Sequence, residues 1–527
     1  MSPSTRSTRL SWLSAAVIGV LAVAAALCVG HLVAGLVAPT ASPFFAVGNG
    51  AIDLTPTPLK NFAVRTFGNN DKLVLLLGMA LVVGIVALVG GLLSRRSPRP
   101  GLALIVVLGV LGGVAVIARP TFGAIDLVAP TASLVTGVAA FLLLYRLASC
   151  PAAGGARHTP KATGGDAAGV SRRGLLVGSV AVATGAGLAG YGGHVLTGTG
   201  NVEAARRRIG RIVPNEPAPP IPAGADFAAV GTPTFITPNS EFYRVDINLQ
   251  LPQLTPEEWE LRIHGMVDRE ITLNWDDLMA MRSVERTVTQ VCVSNELGGP
   301  YISTTNYTGV LLRDILSEVG VQRGANQVFT TSVDGWTAGS PTEVVTDPNR
   351  DAMLVYAMNR EPLPIEHGFP VRVFVPGLYG YISATKWITD MELTTFEDRT
   401  AYWVQAPRSW GRFGPIKTMS RIDSPGSFER VPAGQVMCAG IAWAPPIGIE
   451  RVEIRVDGAD WMPAELSTEV NTDTWRMWRL PVPGLQPGLH TVEVRATDKS
   501  GYTQTAERVP PIPDGATGWH TIRFNVA

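Results

Sequence analysis

Long apolar runs dominate the first 198 residues of the chain, and shorter alternating patterns take over afterwards. A membrane-spanning helix needs about 20 mostly apolar residues. Five runs approach this length: 12–37, 73–93, 101–118, 127–148 and 174–196. The pattern therefore predicts a membrane domain over 1–198 with about five transmembrane helices.

The rest of the chain is predicted to contain a linker and two domains. Residues 199–234 are rich in proline and alanine, which favours an extended linker over a helix or a central strand. Residues 235–424 mix strand-like alternation (FPVRVFVP) with helical spacing (LLRDILSEV), which predicts an α+β domain. Residues 425–527 show only short strands between Pro, Gly and Asp turns, a pattern typical of an immunoglobulin-like β-sandwich.

Charge is balanced overall but unevenly placed around the apolar runs. The 43 basic and 43 acidic residues give no indication of a nucleic-acid partner. Basic residues cluster in alternate connections: Arg6, Arg9, Arg95, Arg96, Arg99, Arg146, Arg157, Lys161, Arg172 and Arg173. By the positive-inside bias, we expect a multi-pass protein of a bacterial cytoplasmic membrane, with its N-terminus inside and everything after the fifth helix outside.

The fifth run begins with paired arginines, in SRRGLLVGSVAVATGAGLAG from Ser171 to Gly190. Paired arginines before a weakly hydrophobic, Gly- and Ala-rich run are typical of a twin-arginine export signal, which exports domains already folded around a cofactor. The alternative is a positive-inside anchor in which Gly174 and Gly178 allow close helix packing. Both interpretations predict the same topology.

Two histidines, His31 and His194, lie near the outer ends of the first and fifth runs. They are conceivable axial haem ligands, but haem-binding bundles usually present ligand pairs on facing helices, and only one pair is possible here. We therefore expect no haem and assign both histidines to polar packing near the interface. The membrane domain is interpreted as an anchor or as a docking site for a redox partner.

Four cysteines are too few for a disulfide scaffold. Cys28 and Cys150 lie in or beside membrane segments, which leaves Cys292 and Cys438. Cys292, in TVTQVCVSNELGGP, ends an apolar strand just before a polar loop, where a rigid scaffold can meet an open cavity. It is a candidate thiolate ligand for a metal, and the alternatives are a buried free cysteine or a disulfide with Cys438.

A second informative stretch is HGFPVRVFVPGLYGYISATKW, residues 367–387. It combines cations and a hydroxyl group with glycines that let the backbone approach a ligand; the polar members are His367, Arg372, Ser383 and Lys386. Such groups suit a phosphate and a polar heterocycle. The alternative is an ordinary strand, turn and strand with surface cations.

These segments together resemble the sulfite oxidase family. The resemblance is carried in collinear order by CVSNELGG, TGVLLRDIL, DGWTAG, HGFPVRVFVPGLYGYISATKW and PIKTMSRID, and then by AGIAWA, ERVEIRVDG and ATD in the last domain. It covers roughly 225–527. It implies that 235–424 is a molybdopterin-binding oxidoreductase domain, and that 425–527 is similar to the family's dimerisation domain.

The resemblance also implies roles for single residues. Cys292 would bind molybdenum alongside the two sulfurs of one molybdopterin, and Arg244 would lie near the metal and the pterin. The pterin and its phosphate would be held by His367, Arg372, Ser383 and Lys386, with Asn295 and Asp334 as further pocket residues. The predicted cofactor is therefore molybdenum-molybdopterin, without haem.

Two departures from the family bear on the substrate. Sulfite oxidases carry arginines shortly after the metal-binding cysteine and in the first sandwich strand, whereas this chain has Leu297 and Ile441 there. Losing those charges removes contacts to a small oxyanion. The segment from Gly377 to Lys386 is also one residue longer than expected of sulfite oxidases.

We expect a membrane-anchored, extracytoplasmic enzyme that transfers an oxygen atom to or from a small sulfur or nitrogen compound. The chief alternative is a sulfoxide or methionine sulfoxide reductase, and an alternative of another class is a cofactor-free, membrane-tethered interaction protein. The expected partners are a small-molecule substrate, the lipid bilayer and a redox partner, which would be a quinone, a cytochrome or a membrane protein. A homodimer through the sandwich is possible.

Overall fold

The computed structural model describes residues 9–56, 59, 62, 66–67, 71–119, 121–149, 172–198, 200–247 and 249–527. The chain divides into two compact units. The first comprises Met1–Gly200 with Ile247–Gln253, and the second comprises Asn201–Asp246 with Leu254–Ala527. Cys150, Arg6, Arg157 and Lys161, which entered the cysteine and orientation arguments, lie outside the described residues.

The first unit is helical. Its helices are α1 (Trp12–Val37), α2 (Pro43–Leu54), α3 (Asp71–Leu93), α4 (Arg99–Ile117), α5 (Val128–Ser149) and α6 (Arg172–Thr197). Five helices of the described part are long and apolar enough to cross a membrane, and α2 is not one of them. With 12 residues, α2 is too short to span, which is why a search for long apolar runs did not predict it.

Helices α1 and α3 are in backbone contact through glycines. A Cβ atom on Gly19 would collide with the carbonyl oxygen of Ala87, and one on Gly91 would collide with that of Ala15. Close backbone contact through glycines is typical of helices that cross a membrane, because apolar burial cannot drive helix association inside a bilayer.

We expect Gly91→Ala to lower the Tm of the detergent-solubilised chain by about 4 °C or more, because overpacking costs typically about 1–3 kcal/mol. Gly84→Ala is the matched control on α3, since no described atom lies within 4 Å of a Cβ built at Gly84. The measurement is thermal unfolding of both variants. Equal Tm values for the two would contradict the contact between α1 and α3.

The second unit begins with α7 (Gly200–Ile209), inside the segment expected to be a linker. Val202 and Ala205 are buried, and Arg206 donates from Nε to the carbonyl oxygens of Pro362 (3.0 Å) and Leu363 (2.9 Å). The start of this segment is therefore packed onto the second unit. Its proline-rich part, which follows, contains no regular helix or strand apart from a short 3₁₀ turn.

A mixed sheet and an antiparallel sheet follow. Their strands are β1 (Glu260–Gly265), β2 (Ile271–Asn274), β3 (Val284–Val291), β4 (Ile302–Leu311), β5 (Gln327–Ser332), β6 (Thr337–Pro341), β7 (Met353–Met358), β8 (Glu361–Pro362), β9 (Arg372–Phe374) and β10 (Ile388–Thr394). One sheet has the order β2-β1-β10-β5-β6, and the other has the order β3-β4-β7-β8, with β9 beside β7. The helices among them are α8 (Trp275–Ala280), α9 (Leu312–Val319), α10 (Thr342–Thr346) and α11 (Gly380–Ser383).

Helix α9 shows how the sequence directs this packing. Leu312, Ile315, Leu316 and Val319 recur at helical spacing and are all buried in the core shared by both sheets. The helix ends at Gly320, whose φ of +70° is a left-handed conformation that favours glycine.

The last part of the chain forms two further sheets. Their strands are β11 (Met419–Ser424), β12 (Arg430–Val431), β13 (Gly434–Trp443), β14 (Ile449–Val456), β15 (Met462–Pro463), β16 (Glu465–Leu466), β17 (Arg476–Leu485), β18 (Gly488–Asp498) and β19 (His520–Val526). Their orders are β11-β13-β17-β16 and β12-β19-β18-β14-β15. Residues of both sheets, Trp478 and Phe524 among them, share one buried core. That this pair of sheets is immunoglobulin-like stays a prediction.

The loop between β16 and β17 packs against strand β3. The Thr289 N–H donates to the Asp473 carbonyl oxygen (2.9 Å), and the Trp475 N–H donates to Thr289 Oγ1 (2.7 Å). Asn471 Nδ2 donates to the Thr287 carbonyl oxygen (2.9 Å). The last part of the chain thus supports the strand that leads to Cys292.

Candidate functional site

Cys292 directly follows β3 and opens a short loop that returns to β4. Its N–H donates to the Tyr301 carbonyl oxygen (3.0 Å), and its own carbonyl oxygen accepts from the Asn295 N–H (3.0 Å). The side chain is buried. Burial raises the pKa of the thiol above its ordinary value, while hydrogen bonding at Ser294 and the charge of Lys386 lower it. At neutral pH a thiol in this position stays protonated until a metal displaces the proton.

The alternative of a disulfide with Cys438 is wrong. Among the residues that the structure describes, Cys28, Cys292 and Cys438 are all free. Cys438 is fully buried in the core of the last two sheets, where burial raises its pKa to about 12. It is a packing residue.

A group of cations lies beside Cys292. Lys386 Nζ donates to the carbonyl oxygens of Val245 (3.0 Å) and Glu366 (2.8 Å). Arg244 pairs through Nε with Asp246 Oδ2 at 2.7 Å, and that carboxylate oxygen is 3.9 Å from Lys386 Nζ. Lys386 therefore joins the segment that contains Arg244 to the turn that ends at His367.

His367 is buried at the centre of this group. Its ring meets the Phe242 ring edge to face, with 5.2 Å between the centroids. Burial lowers the pKa of His367 to about 2, and the charges of Lys386, Arg372 and Arg244 act in the same direction. The imidazole is therefore neutral at physiological pH and can both donate and accept a hydrogen bond.

Arg372, on β9, is the most deeply buried cation of the group, with 1% of its surface exposed. Its Nη1 donates to the His367 carbonyl oxygen (3.2 Å), and its guanidinium lies 5.6 Å from the centroid of the Tyr307 ring. Its Nη2 is buried without a hydrogen-bond partner in the described part of the chain. A charged donor left in this way is costly, and a bound anion such as a phosphate would satisfy it.

The other predicted residues bond to the backbone. Asn295 Oδ1 accepts from the Tyr301 N–H (2.9 Å) and holds the Cys292 loop. Ser383 Oγ, buried on α11, donates to the carbonyl oxygens of Leu378 (3.0 Å) and Tyr379 (3.1 Å). Asp334 lies in the turn between β5 and β6, where its Oδ1 accepts from the Trp336 N–H (2.9 Å). These contacts shape the site, and a ligand role for the three residues stays a prediction.

The structure places two further side chains at the Cys292 loop that sequence reasoning missed. A Cβ atom on Gly298 would collide with the His520 ring, which reaches the loop from β19. Arg421 Nη1 donates to the Gly299 carbonyl oxygen (2.9 Å) from β11. Arg421 lies in the PIKTMSRID motif, which indicated the family but not this contact, and His520 lies in no quoted motif. Neither contact could be predicted, because both residues come from the last two sheets.

A third missed residue, Tyr243, had a signal in its position next to Arg244. Its hydroxyl group is close enough to Cys292 and Arg372 to interact with both electrostatically. Burial raises the pKa of Tyr243 well above its ordinary value, and Cys292 and Tyr307 raise it further. The phenol is therefore a neutral donor at physiological pH.

Leu297 and Ile441, which stand where arginines were expected, are both apolar packing residues. Ile441 is fully buried on β13 opposite Arg421, and Leu297 packs against the same core. Neither position contributes a cation to the site.

Part of this sequence is similar to known proteins. Residues 248–403 match the family model described as an oxidoreductase molybdopterin binding domain. Human mitochondrial sulfite oxidase is 30% identical over 351 residues, which cover 56% of this chain and 63% of that protein. The NADH nitrate reductase of Hordeum vulgare is 27% identical over 353 residues, covering 55% of this chain and 38% of that enzyme.

Among solved structures, the sulfane dehydrogenase SoxCD from Paracoccus pantotrophus matches 56% of this chain and 84% of its own, at 22% identity and a TM-score of 0.49. The chain thus spans less than two thirds of the length of the human relative.

The matched region contains Cys292, His367, Arg372 and Lys386. The first of these is a buried thiol, and the other three belong to the polar group beside it. The buried, unpartnered nitrogen of Arg372 is an observation of this structure that fits an anionic cofactor. This chain therefore contains an oxidoreductase molybdopterin binding domain over residues 248–403 and is similar to the sulfite oxidases.

Proposed function

We propose that this chain is a membrane-anchored, extracytoplasmic molybdenum-cofactor enzyme that transfers an oxygen atom, with two electrons, to or from a small sulfur or nitrogen compound. The observation that carries the proposal is a buried Cys292 thiol in the same domain as the buried Arg372 guanidinium, whose Nη2 lacks an acceptor among the described residues. A soft thiolate ligand and an anion-binding cation are what a metal-bound pterin phosphate requires.

Different residues would bind different parts of the cofactor. Cys292 would bind the metal, and in the described residues no cluster of three or more His, Cys, Asp or Glu side chains competes with this single ligand. Arg372 and Lys386 would hold the phosphate, while neutral His367 and Arg244 would contact the pterin. When bound, the molybdenum centre supplies two-electron oxygen-atom transfer. Burial of Cys292, His367 and Arg372 excludes water from the side where the cofactor would attach.

The location is proposed from the sequence and from helix length. Arg9 precedes α1 and Arg95, Arg96 and Arg99 lie between α3 and α4, so the positive-inside bias puts these connections in the cytoplasm. With five spanning helices, the second unit would then be extracytoplasmic. The paired arginines at the start of α6 support export of this unit in folded form. Electrons would be exchanged with a quinone, a cytochrome or a membrane protein.

A reductase for sulfoxides, such as methionine sulfoxide, is the second candidate. The observation that favours it is the apolar packing of Leu297 and Ile441. A guanidinium at either position would hold a small oxyanion, and an aliphatic side chain suits a neutral substrate with an apolar part. A cofactor-free interaction protein is disfavoured, because without a bound anion the buried Arg372 Nη2 would have no hydrogen-bond acceptor among the described residues.

The test uses the full chain, purified in detergent from cells that load a control molybdoenzyme. Molybdenum and pterin are measured first, and near-stoichiometric content of both is expected. Sulfite oxidation with ferricyanide and methionine sulfoxide reduction with reduced benzyl viologen are then compared. Folded protein without molybdenum or pterin would contradict the enzyme proposal, and the faster of the two reactions decides between the candidates.

A further inference from the structure

Tyr243 presents a buried hydroxyl group that the proposed cofactor contacts do not use. Its ring stacks on Phe242 with 5.3 Å between the centroids and an angle of 19°, and it meets the Tyr301 ring at 6.3 Å. Its N–H donates to Ser303 Oγ (3.3 Å). Two rings and a backbone hydrogen bond thus fix the phenol in place, so its hydroxyl cannot turn outward to be hydrated.

The hydroxyl oxygen of Tyr243 is buried and has no hydrogen-bond partner within the ranges that the structure covers. It is close enough to Cys292, Tyr307 and Arg372 to interact with each electrostatically. The Gln290 amide also lies beside it and lowers the pKa of the phenol, as a donor to the phenol oxygen does, while the Oε1 of that amide accepts from the Tyr307 hydroxyl (2.9 Å). The proton of the Tyr243 hydroxyl is therefore left without an acceptor among the described residues.

The Tyr243 hydroxyl lies at the Cys292 loop, because its ring meets that of Tyr301, whose carbonyl oxygen accepts from the Cys292 N–H (3.0 Å). Buried donors are nearly always paired in folded proteins, so a phenol proton left without an acceptor indicates a missing one. Arg372 Nη2 would be satisfied by the phosphate, so the acceptor for Tyr243 is a separate oxygen near Cys292.

We propose that Tyr243 is a catalytic residue whose hydroxyl donates a hydrogen bond to an oxygen atom held beside the Cys292 sulfur. That oxygen belongs either to the bound cofactor or to a small oxyanion or oxo compound. The assignment rests on the proposed function, because it requires the cofactor to bind at Cys292. A donor in this position would orient the oxygen and stabilise negative charge on it.

The experiment compares the full chain with Tyr243→Phe, which removes only the hydroxyl. Tyr356→Phe is the control, because Tyr356 is a buried phenol of the same unit, and its ring packs on Trp275 in the core of the two sheets. Molybdenum and pterin are measured in all three proteins. Molybdenum reduced by one electron, which is paramagnetic, is then examined by electron paramagnetic resonance in H₂O and D₂O. The spectra are recorded with and without inorganic phosphate as the oxyanion probe.

We expect an exchangeable-proton coupling per molybdenum in the natural chain and in Tyr356→Phe, and its loss in Tyr243→Phe. A coupling seen without phosphate identifies a cofactor oxygen as the acceptor, and one seen only with phosphate identifies an oxyanion. In the second case, we expect Tyr243→Phe to weaken phosphate binding about tenfold, as loss of one hydrogen bond to a charged group does.

Equal proton coupling and equal phosphate affinity in all three loaded proteins would overturn the assignment of Tyr243 and leave the proposed function standing. Absence of molybdenum from the folded natural chain would overturn both. A third outcome is that only Tyr243→Phe fails to take up molybdenum, while its Tm equals that of Tyr356→Phe. The hydroxyl would then contact the cofactor itself, which supports a cofactor oxygen as the acceptor.

Discussion

Cys292→Ser is expected to abolish the thiolate-to-metal absorption of the loaded protein and to lower oxygen-transfer activity at least about 100-fold, while pterin content stays near that of the natural chain. The reason is that the cations beside Cys292, and not the thiol, would hold the pterin, whereas a serine hydroxyl is a far weaker ligand than a thiolate. The measurements are the visible absorption spectrum, molybdenum and pterin content, and turnover.

Cys438→Ala is the matched control for this substitution. Cys438 is a second buried thiol of the same unit, in the core of the last two sheets. We expect this variant to keep the absorption spectrum and the activity, with a small loss of stability from the smaller side chain. An unchanged spectrum in Cys292→Ser would show that the metal has another protein ligand or none.

Arg372→Met is expected to separate stability from cofactor binding. The apo chain should be as stable as the natural apo chain or more stable, because an apolar side chain of similar volume replaces a buried charge with an unsatisfied nitrogen. Pterin content should fall at least about tenfold, because the anion loses its buried guanidinium partner. The measurements are Tm of protein made without cofactor, and pterin content of protein made with it.

Arg476→Met is the control for the Arg372 substitution. Arg476, on β17, donates from Nε to the Ser467 carbonyl oxygen (3.0 Å) and from Nη1 to the Ile449 carbonyl oxygen (3.0 Å). Removing these contacts should lower Tm without changing pterin content. If Arg372→Met instead behaves like Arg476→Met, the guanidinium serves only to hold the fold.

The sequence predicted two kinds of feature well, and both depend on residues near one another in the chain. Apolar length alone indicated five helices able to cross a membrane, and the described part of the chain contains five that are long and apolar enough. The order of short motifs from CVSNELGG onward indicated the family, which the comparisons confirm for the molybdopterin-binding domain. Local periodicity also explains why α2 and α7 were not predicted. One is short, and the other opens a proline-rich segment.

Local sequence could not determine which polar groups of the site have hydrogen-bond partners. The motifs were enough to name Cys292, Arg372 and Lys386 as site residues. They did not show that Arg372 has a nitrogen without a hydrogen-bond partner among the described residues, whereas Ser383 and Asn295 bond to the backbone. Whether a donor has a partner depends on every group that packs around it, and most of those groups are distant in sequence.

The sequence by itself thus indicated the molybdopterin-binding domain, its cofactor class and five helices long and apolar enough to cross a membrane. The tertiary structure alone decided that Cys438 is a free core residue, that His520 and Arg421 reach the Cys292 loop, and that the Tyr243 hydroxyl is buried without an acceptor among the described residues. The physical reason is that motifs and periodicity are properties of neighbouring residues, whereas burial and hydrogen-bond pairing arise only when distant strands pack together.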